Sequence, residues 1–183
     1  MGKIELFLGP MFSGKTTYLI NKVKELESKG KNVKVFKPVV DDRYGDNIIC
    51  SHDNISLKAY NIKDIKEAEV SDCDVVVIDE YFFFKDNLLD YCKRWKEEGK
   101  HVIVAGLDLN YLGNPIKLVD SEKSSDDLKK IADKINLLKS KCAVCGGEAT
   151  MTERISKSNK EKLVGGSETY RPVCEKHHPK WKK

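Results

Sequence analysis

The stretch Gly9-Pro10-Met11-Phe12-Ser13-Gly14-Lys15-Thr16 fits the phosphate-binding loop pattern G-x-x-x-x-G-K-[ST] at every fixed position. In such a loop the glycines let successive backbone N–H groups turn toward phosphate oxygens. The lysine reaches the β- and γ-phosphates of a nucleoside triphosphate, and the Thr16 hydroxyl is suited to bind Mg²⁺. The helix that follows directs its positive N-terminal end at the same anion.

The residues on both sides of this loop predict the strand and the helix that the pattern requires. Residues 4–8 form a short apolar run that predicts a buried strand. Residues 17–29 carry apolar side chains at helical spacing, and Gly30 supplies a stop after them. The alternative is a glycine-containing turn that happens to hold Lys-Thr, and it accounts for neither flank.

Apolar runs and helical patterns alternate through the first three quarters of the chain, which predicts an α/β fold around a mostly parallel sheet. Weaker patterns suggest a strand around Leu57 and a helix over 62–69, and the polar residues 41–47 predict a loop. The clearer elements are strands over 31–38, 74–80 and 101–106, and helices over 87–99 and 126–136, the last capped by Ser124 or Ser125.

Two acidic residues, Asp79 and Glu80, lie at the carboxyl end of the most apolar of these strands. The carboxyl end of a strand is where open α/β sheets bind their ligands. Asp79 fits the acid that holds Mg²⁺ in phosphate-loop enzymes. Residues that leave a strand in succession point in different directions, so the second carboxylate is available as a base toward a hydroxyl or water. The alternative is that both acids lie in a solvent-exposed turn and have no role in binding or catalysis.

Four potential metal ligands lie near the C-terminus, in the pairs Cys142-x-x-Cys145 and Cys174-x-x-His177. Two such pairs clamp a tetrahedral Zn²⁺ from both sides and leave no open position, which predicts a structural site. His178 is a rival fourth ligand, and the two-residue gap favours His177. The other three cysteines are predicted to be small core or boundary residues without disulfides: Cys50, Cys73 and Cys92.

The length of 183 residues suits one domain with a small appendage. Strand–helix alternation gives way to Cys- and Gly-rich sequence near residue 139, which predicts a nucleotide-binding domain over 1–138 and a zinc-binding subdomain over 139–183. The second segment has eleven Lys plus Arg against five Asp plus Glu. These charges are scattered, so a solubilising surface is favoured over a nucleic-acid patch.

The N-terminus enters a strand almost at once, which argues against a signal peptide. No apolar run approaches the ~18 residues of a membrane helix. Together these features predict a cytoplasmic protein with no membrane partner.

Taken in order, the motifs resemble those of the cytosolic (type II) thymidine kinases, and the resemblance runs from Gly9 to His177. It implies a RecA-like P-loop α/β fold, a mostly parallel sheet flanked by helices, with a small C-terminal zinc-binding subdomain. The matching pieces are residues 9–17, Lys37-Pro38, Asp41-Asp42-Arg43-Tyr44, Ser51-His52-Asp53, Ile78-Asp79-Glu80 with Phe83-Phe84, Gly106-Leu107-Asp108, Pro115, Cys142-x-x-Cys145, and Gly165-Gly166 with Tyr170 before Cys174.

The resemblance implies transfer of the ATP γ-phosphate to the 5′-hydroxyl of thymidine, giving dTMP for nucleotide salvage. By matching positions, Glu80 is the expected general base, and Arg43 is expected to steady the transferring phosphate together with Lys15. The residues expected to hold Mg²⁺ and ATP are Gly9, Pro10, Met11, Phe12, Ser13, Gly14, Lys15, Thr16, Thr17 and Asp79. The expected wall around the thymine ring is Met11, Phe83, Leu107, Tyr111, Ile116 and Thr152.

The loop over 164–170 resembles the segment that holds the base through backbone groups, with Val164, Gly165, Gly166 and Tyr170 as contacts. Spacing alone leaves Tyr170 open between stacking on the base and packing against the zinc site. The resemblance also implies a homotetramer that dTTP inhibits. The chain departs from the family at Tyr81-Phe82, where Ala-Gln is usual, and at Ile116, where phenylalanine is usual.

A rival hypothesis is a RecA-like ATPase whose zinc ribbon binds nucleic acid. It predicts ATP turnover stimulated by DNA, whereas a nucleoside kinase forms product from thymidine and has no nucleic-acid partner. A GTP switch is disfavoured because no Asn-Lys-x-Asp motif follows the loop. The four arginines are well separated, as suits an acceptor without a phosphate of its own.

Overall fold

The computed structural model describes residues 1–40, 47–50, 55–158, 160 and 164–181. Eight of its strands are β1 (Lys3–Leu8), β2 (Val33–Pro38), β3 (Ile48–Cys50), β4 (Ser56–Lys58), β5 (Tyr60–Ile62), β6 (Val75–Ile78), β7 (His101–Gly106) and β8 (Lys134–Leu137). Six of these form one sheet in the order β5-β2-β6-β7-β1-β8, and neighbours in it are parallel. Strands β3 and β4 form a separate antiparallel pair.

Helices cover both faces of this sheet, as parallel strands with apolar residues on both sides require. Helix α1 (Lys15–Ser28) buries Leu19, Ile20 and Val23 against one face. Helices α2 (Asn87–Glu97) and α3 (Ser125–Ile131) cover the other face, where Trp95 and Leu128 are fully buried. The α/β architecture expected from the sequence is therefore confirmed.

The chain after the sheet forms two small antiparallel pairs. One joins β9 (Ser140–Lys141) to β10 (Glu148–Ala149), and the other joins β11 (Met151–Arg154) to β12 (Tyr170–Val173). They share a small apolar cluster of Cys142, Ala149, Met151 and Val173. Contacts such as the bond from Ser140 Oγ to the carbonyl of Phe12 (2.8 Å) cross residue 139, so the boundary at that position stays a prediction.

The helix predicted over 126–136 is wrong in its second half. Helix α3 ends at Ile131, and β8 begins at Lys134. The reason is tertiary: Asp133 accepts the Ile4 N–H on its carboxylate (2.7 Å) and donates its own N–H to the Ile4 carbonyl (2.9 Å). These bonds start a parallel ladder with β1 that outweighs helix propensity. The start of α3 does follow local sequence, because Ser124 forms a capping box with Asp127.

The structure tests three further predictions about helices and strands. The strand around Leu57 is present as β4, whereas the helix expected over 62–69 is only a 3₁₀ turn at Ile65–Glu67. The predicted stop after α1 is confirmed, since Gly30 has a φ of 76°. Of the loop over 41–47, residues 41–46 lie outside the described residues, as do residues 51–53.

Gly106, the last residue of β7, allows the fully buried Tyr81 ring to lie directly against the strand. A Cβ atom on Gly106 would lie 2.6 Å from Cδ1 of Tyr81. The Tyr81 hydroxyl donates to the Leu107 carbonyl (2.8 Å), and burial raises the pKa of the phenol well above its usual value, helped by the nearby charge of Asp108. Tyr81 therefore fastens the chain after β6 to the chain after β7.

We expect Gly106→Ala to lower the free energy of unfolding by about 1–3 kcal/mol, because the new methyl overpacks against the Tyr81 ring. Urea denaturation measures this loss. The same change made in a Tyr81→Ala background should cost less, since the clashing ring is absent and the two effects are coupled. Equal costs in both backgrounds would show that Tyr81 does not limit position 106.

Candidate active site and metal centre

The phosphate-loop motif connects β1 to α1, as its pattern predicts. Phe12 and Gly14 have φ values of 59° and 76°, which turn the backbone back on itself. A Cβ on Gly9 would lie 2.6 Å from the Leu138 carbonyl oxygen, so this position needs glycine. Lys15 Nζ donates to the carbonyls of Gly9 (3.0 Å) and Pro10 (2.6 Å), which places its charge within the loop. The loop thus has the shape and charge of an anion site.

Asp79 and Glu80 lie at the carboxyl end of β6, two strands away from the loop in the sheet. The Asp79 side chain is buried and its Oδ1 accepts the Glu80 N–H (3.0 Å). Glu80 has a φ of 49°, in the left-handed region, and begins the 3₁₀ turn Tyr81–Phe83. The backbone thus turns sharply between the two acids, which agrees with the prediction that their carboxylates serve separate tasks.

Several residues expected around the base lie at the same edge of the sheet. Phe83 and Leu107 are partly buried and pack against the α2-side core, and the Phe83 ring lies 4.6 Å from that of Phe82. Ile116 is only 3% exposed and belongs to that core, and its contact with the base stays a prediction.

The β11–β12 hairpin, called the C-terminal hairpin below, contacts the phosphate loop through a hydrogen bond to the Thr152 side chain. The Met11 N–H donates to Thr152 Oγ1 (3.0 Å), and the Thr152 side chain is buried. Two residues that the resemblance places at the base, 141 positions apart in the chain, are therefore in direct contact.

Gly165 and Gly166 form a tight turn before β12. The N–H groups of Thr169 and Tyr170 both donate to the Gly166 carbonyl (3.0 Å each), and a Cβ on Gly165 would lie 2.3 Å from Thr169 Oγ1. Close contacts within the chain thus favour glycine at these positions, in addition to the predicted approach of the backbone to a ligand. Val164, at the start of this described segment, is half-buried, and Arg43 lies outside the described residues.

Tyr111 and Tyr170 are brought together by a residue that the sequence analysis missed, Arg154. Its guanidinium centre lies 3.7 Å from the centroid of the Tyr111 ring, and its Nη2 donates to the Tyr170 hydroxyl (2.9 Å). Tyr170 is buried and contacts this arginine, so packing against the zinc site is not the only role open to it. No local motif could have indicated this contact, because it depends on the register of β11 with β12.

The predicted metal ligands converge: one ligand atom from each of Cys142, Cys145, Cys174 and His177 lies within 4.8 Å of the others. The Cys145 and Cys174 sulfurs are 3.9 Å apart, and His177 Nδ1 lies 3.1 Å from Cys174 Sγ and 3.7 Å from Cys142 Sγ. A tetrahedral Zn²⁺ with bonds of about 2.3 Å to sulfur places two sulfur ligands about 3.8 Å apart. The donor set and spacing fit a closed zinc site.

The thiols of this cluster differ in pKa: burial and the hydrogen bond with Cys142 raise the pKa of Cys174, whereas the pKa of Cys142 is lowered. Burial raises the pKa of the Cys142 thiol, but backbone N–H groups of Cys174, Cys145 and Val144 outweigh it and lower the pKa to about 6. The thiolate, which is the form that binds metals, is thus favoured at neutral pH.

His178 is committed elsewhere, which leaves the fourth ligand position to His177. The His178 ring is buried, its Nδ1 accepts the Lys180 N–H (3.2 Å), and its Nε2 donates to the Tyr111 carbonyl (2.9 Å). Since Nδ1 is an acceptor, the ring proton lies on Nε2. His178 therefore supports the loop that carries Tyr111.

Comparison with known proteins agrees with this geometry. A family model described as "Thymidine kinase" matches residues 2–178. The chain belongs to the thymidine kinase family. It is 37% identical over 175 residues to a thymidine kinase from Bacteroides thetaiotaomicron, an alignment that covers 94% of this chain and 85% of that relative.

Family membership gives the reaction, which is phosphorylation of thymidine with ATP as the phosphate donor. It favours this reaction over the DNA-stimulated ATPase considered from the sequence. Across the described part of the chain, no helix is both long and apolar enough to cross a lipid bilayer.

We expect His177→Ala to lose tightly bound zinc, because three thiolates alone leave the tetrahedral site open. His178→Ala is the matched control: it should keep the metal and lose stability, since its ring donates to the Tyr111 carbonyl. Metal content of the purified variants by mass spectrometry, with melting temperatures beside it, measures both. Retained zinc in His177→Ala, with loss in His178→Ala, would reverse the assignment.

Proposed function

We propose that this enzyme transfers the ATP γ-phosphate to the 5′-hydroxyl of thymidine with Glu80 as the general base. The observation that supports this role most directly is the left-handed turn at Glu80, beside the buried Asp79 at the carboxyl end of β6. It separates a carboxylate suited to a metal from one suited to a substrate hydroxyl. The 5′-hydroxyl is a weak nucleophile until a base accepts its proton.

On the donor side, residues 9–17 hold the triphosphate through loop N–H groups and the Lys15 ammonium. The Thr16 hydroxyl and the Asp79 carboxylate are hard oxygen donors of the kind that Mg²⁺ prefers. Bound there, Mg²⁺ neutralises charge on the phosphate oxygens. Arg43 supplies a further cation to the transferring phosphate, as the family resemblance implies.

On the acceptor side, the thymine ring lies against the wall predicted from the resemblance and is held by backbone groups of the 164–170 loop. The contacts between Met11 and Thr152, and between Arg154 and both tyrosines, support this arrangement because they bring distant segments to one place. The Glu80 carboxylate accepts the proton of the 5′-hydroxyl as the new oxygen–phosphorus bond forms and the bond to ADP breaks.

We propose that the Cys₃His cluster binds a structural Zn²⁺, whose role is to fix the roots of the C-terminal hairpin. The family resemblance supports a cytoplasmic homotetramer that is inhibited by dTTP, the end product of the pathway that thymidine phosphorylation feeds.

We expect Glu80→Gln to lower turnover of thymidine ~10²–10⁴-fold, because an amide cannot accept the hydroxyl proton. Binding of ATP should be nearly unchanged in this variant. Single-turnover rates of dTMP formation, with ATP affinity measured separately by calorimetry, separate the two effects.

Asp79→Asn is the contrasting variant, since we expect it to weaken Mg²⁺-dependent binding of ATP. A Glu80→Gln enzyme with near-normal turnover, or one that loses ATP binding instead, would remove Glu80 from the role of base.

A further inference from the structure

Arg154 is the last residue of β11 and lies opposite Tyr170 in the antiparallel register of the hairpin. Its guanidinium centre lies 3.7 Å from the Tyr111 ring centroid and 5.3 Å from the Tyr170 ring centroid. Its Nη2 also donates to the Tyr170 hydroxyl (2.9 Å). One planar cation thus contacts both tyrosines that the proposed function places at the nucleoside.

The same guanidinium also contacts the chain that follows β11. Its Nη1 donates to the carbonyl of Ser158 (3.1 Å) and to that of Lys160. Arg154 therefore links the loop after β7, the end of β11, the chain beyond it and the start of β12. The loop that carries Tyr111 is distant in sequence from the others, and the contact of its ring with Arg154 helps to hold it against β11 and β12.

The position of Arg154 in the hairpin agrees with a role toward the site. Residues two apart in a strand share a face, so Arg154 lies on the same face of β11 as Thr152, which binds the Met11 N–H of the phosphate loop. Glu153 and Arg171 are paired on the opposite face, where Arg171 Nε donates to Glu153 Oε2 (2.5 Å). The hairpin thus has one face toward the site and one ion pair away from it.

We propose that Arg154 is a positioning residue that sets the separation and tilt of Tyr111 and Tyr170 for thymidine. This inference rests on the proposed assignment of both tyrosines to the nucleoside site. Stacking on a ring and donation through a planar fork are properties of guanidinium that an ammonium group does not reproduce. Arg154→Lys therefore keeps the charge and removes the geometry.

The test compares Arg154→Lys and Arg154→Met with Arg171→Met, a matched control from the other face of the same hairpin. We expect Arg154→Lys to raise the KM for thymidine about tenfold, equivalent to about 1.4 kcal/mol, with the KM for ATP within about twofold of wild type. Arg171→Met should leave both KM values unchanged. Zinc content and melting temperature of each variant check that the hairpin is intact.

If Arg154 acts only in folding, Arg154→Lys would change the KM values for thymidine and ATP together, or the variant would lose zinc. Either result would overturn the inference. Tyr170→Phe provides a second test if the Arg154→Met variant fails to fold. Because the hydroxyl is the partner of Arg154, Tyr170→Phe and Arg154→Lys should be non-additive in thymidine affinity. Strict additivity would also overturn the inference.

Tyr170→Ala separates this inference from the proposed site. If Tyr170→Ala leaves the KM for thymidine unchanged, the nucleoside site is assigned wrongly and the inference falls with it. If Tyr170→Ala raises that KM and Arg154→Lys does not, the site stands and only the role of Arg154 is refuted.

Discussion

Parallel hydrogen-bond ladders align the carboxyl ends of β1, β6 and β7 at one edge of the sheet. The phosphate loop follows β1, the acidic pair follows β6, and Leu107 follows β7. Leu8 lies opposite Gly106, and Ile78 lies opposite Val104. The chain leaves each strand within one or two residues of these pairs. The phosphate loop, the acidic pair and the first residues of the proposed base wall therefore emerge at one edge of the sheet through backbone pairing alone.

The C-terminal segment, which comprises the β9–β10 pair and the β11–β12 hairpin, packs against the phosphate loop at the edge of the proposed site. It touches the loop through the Thr152–Met11 bond and through the Ser140 hydroxyl on the Phe12 carbonyl. Its own core is only a handful of apolar residues beside the cysteine cluster. A core of that size cannot order long loops unaided, which is why four convergent metal ligands at its base make physical sense.

Sequence reasoning succeeded where the cause of a structure is local. The phosphate loop, the flanking strand and helix, the strand before Asp79 and the Ser124 cap each follow from neighbouring residues. It failed at 134–137, because β8 exists through its pairing with β1, more than 120 residues earlier. Arg154 was missed for the same reason, since its partners are Tyr111 and Tyr170. The choice between His177 and His178 needed the ring contacts, which spacing does not contain.

His178 links the cysteine cluster to Tyr111. It comes directly after the predicted metal ligand His177, and its ring donates to the carbonyl of Tyr111, which the proposed function places in the wall around the base. Neighbouring residues cannot shift independently, so disorder at the cysteine cluster would propagate to Tyr111 through a single peptide unit. Under the proposed function, this structural metal site is thereby coupled to substrate fit, and chemical damage to its thiolates is expected to weaken thymidine binding first.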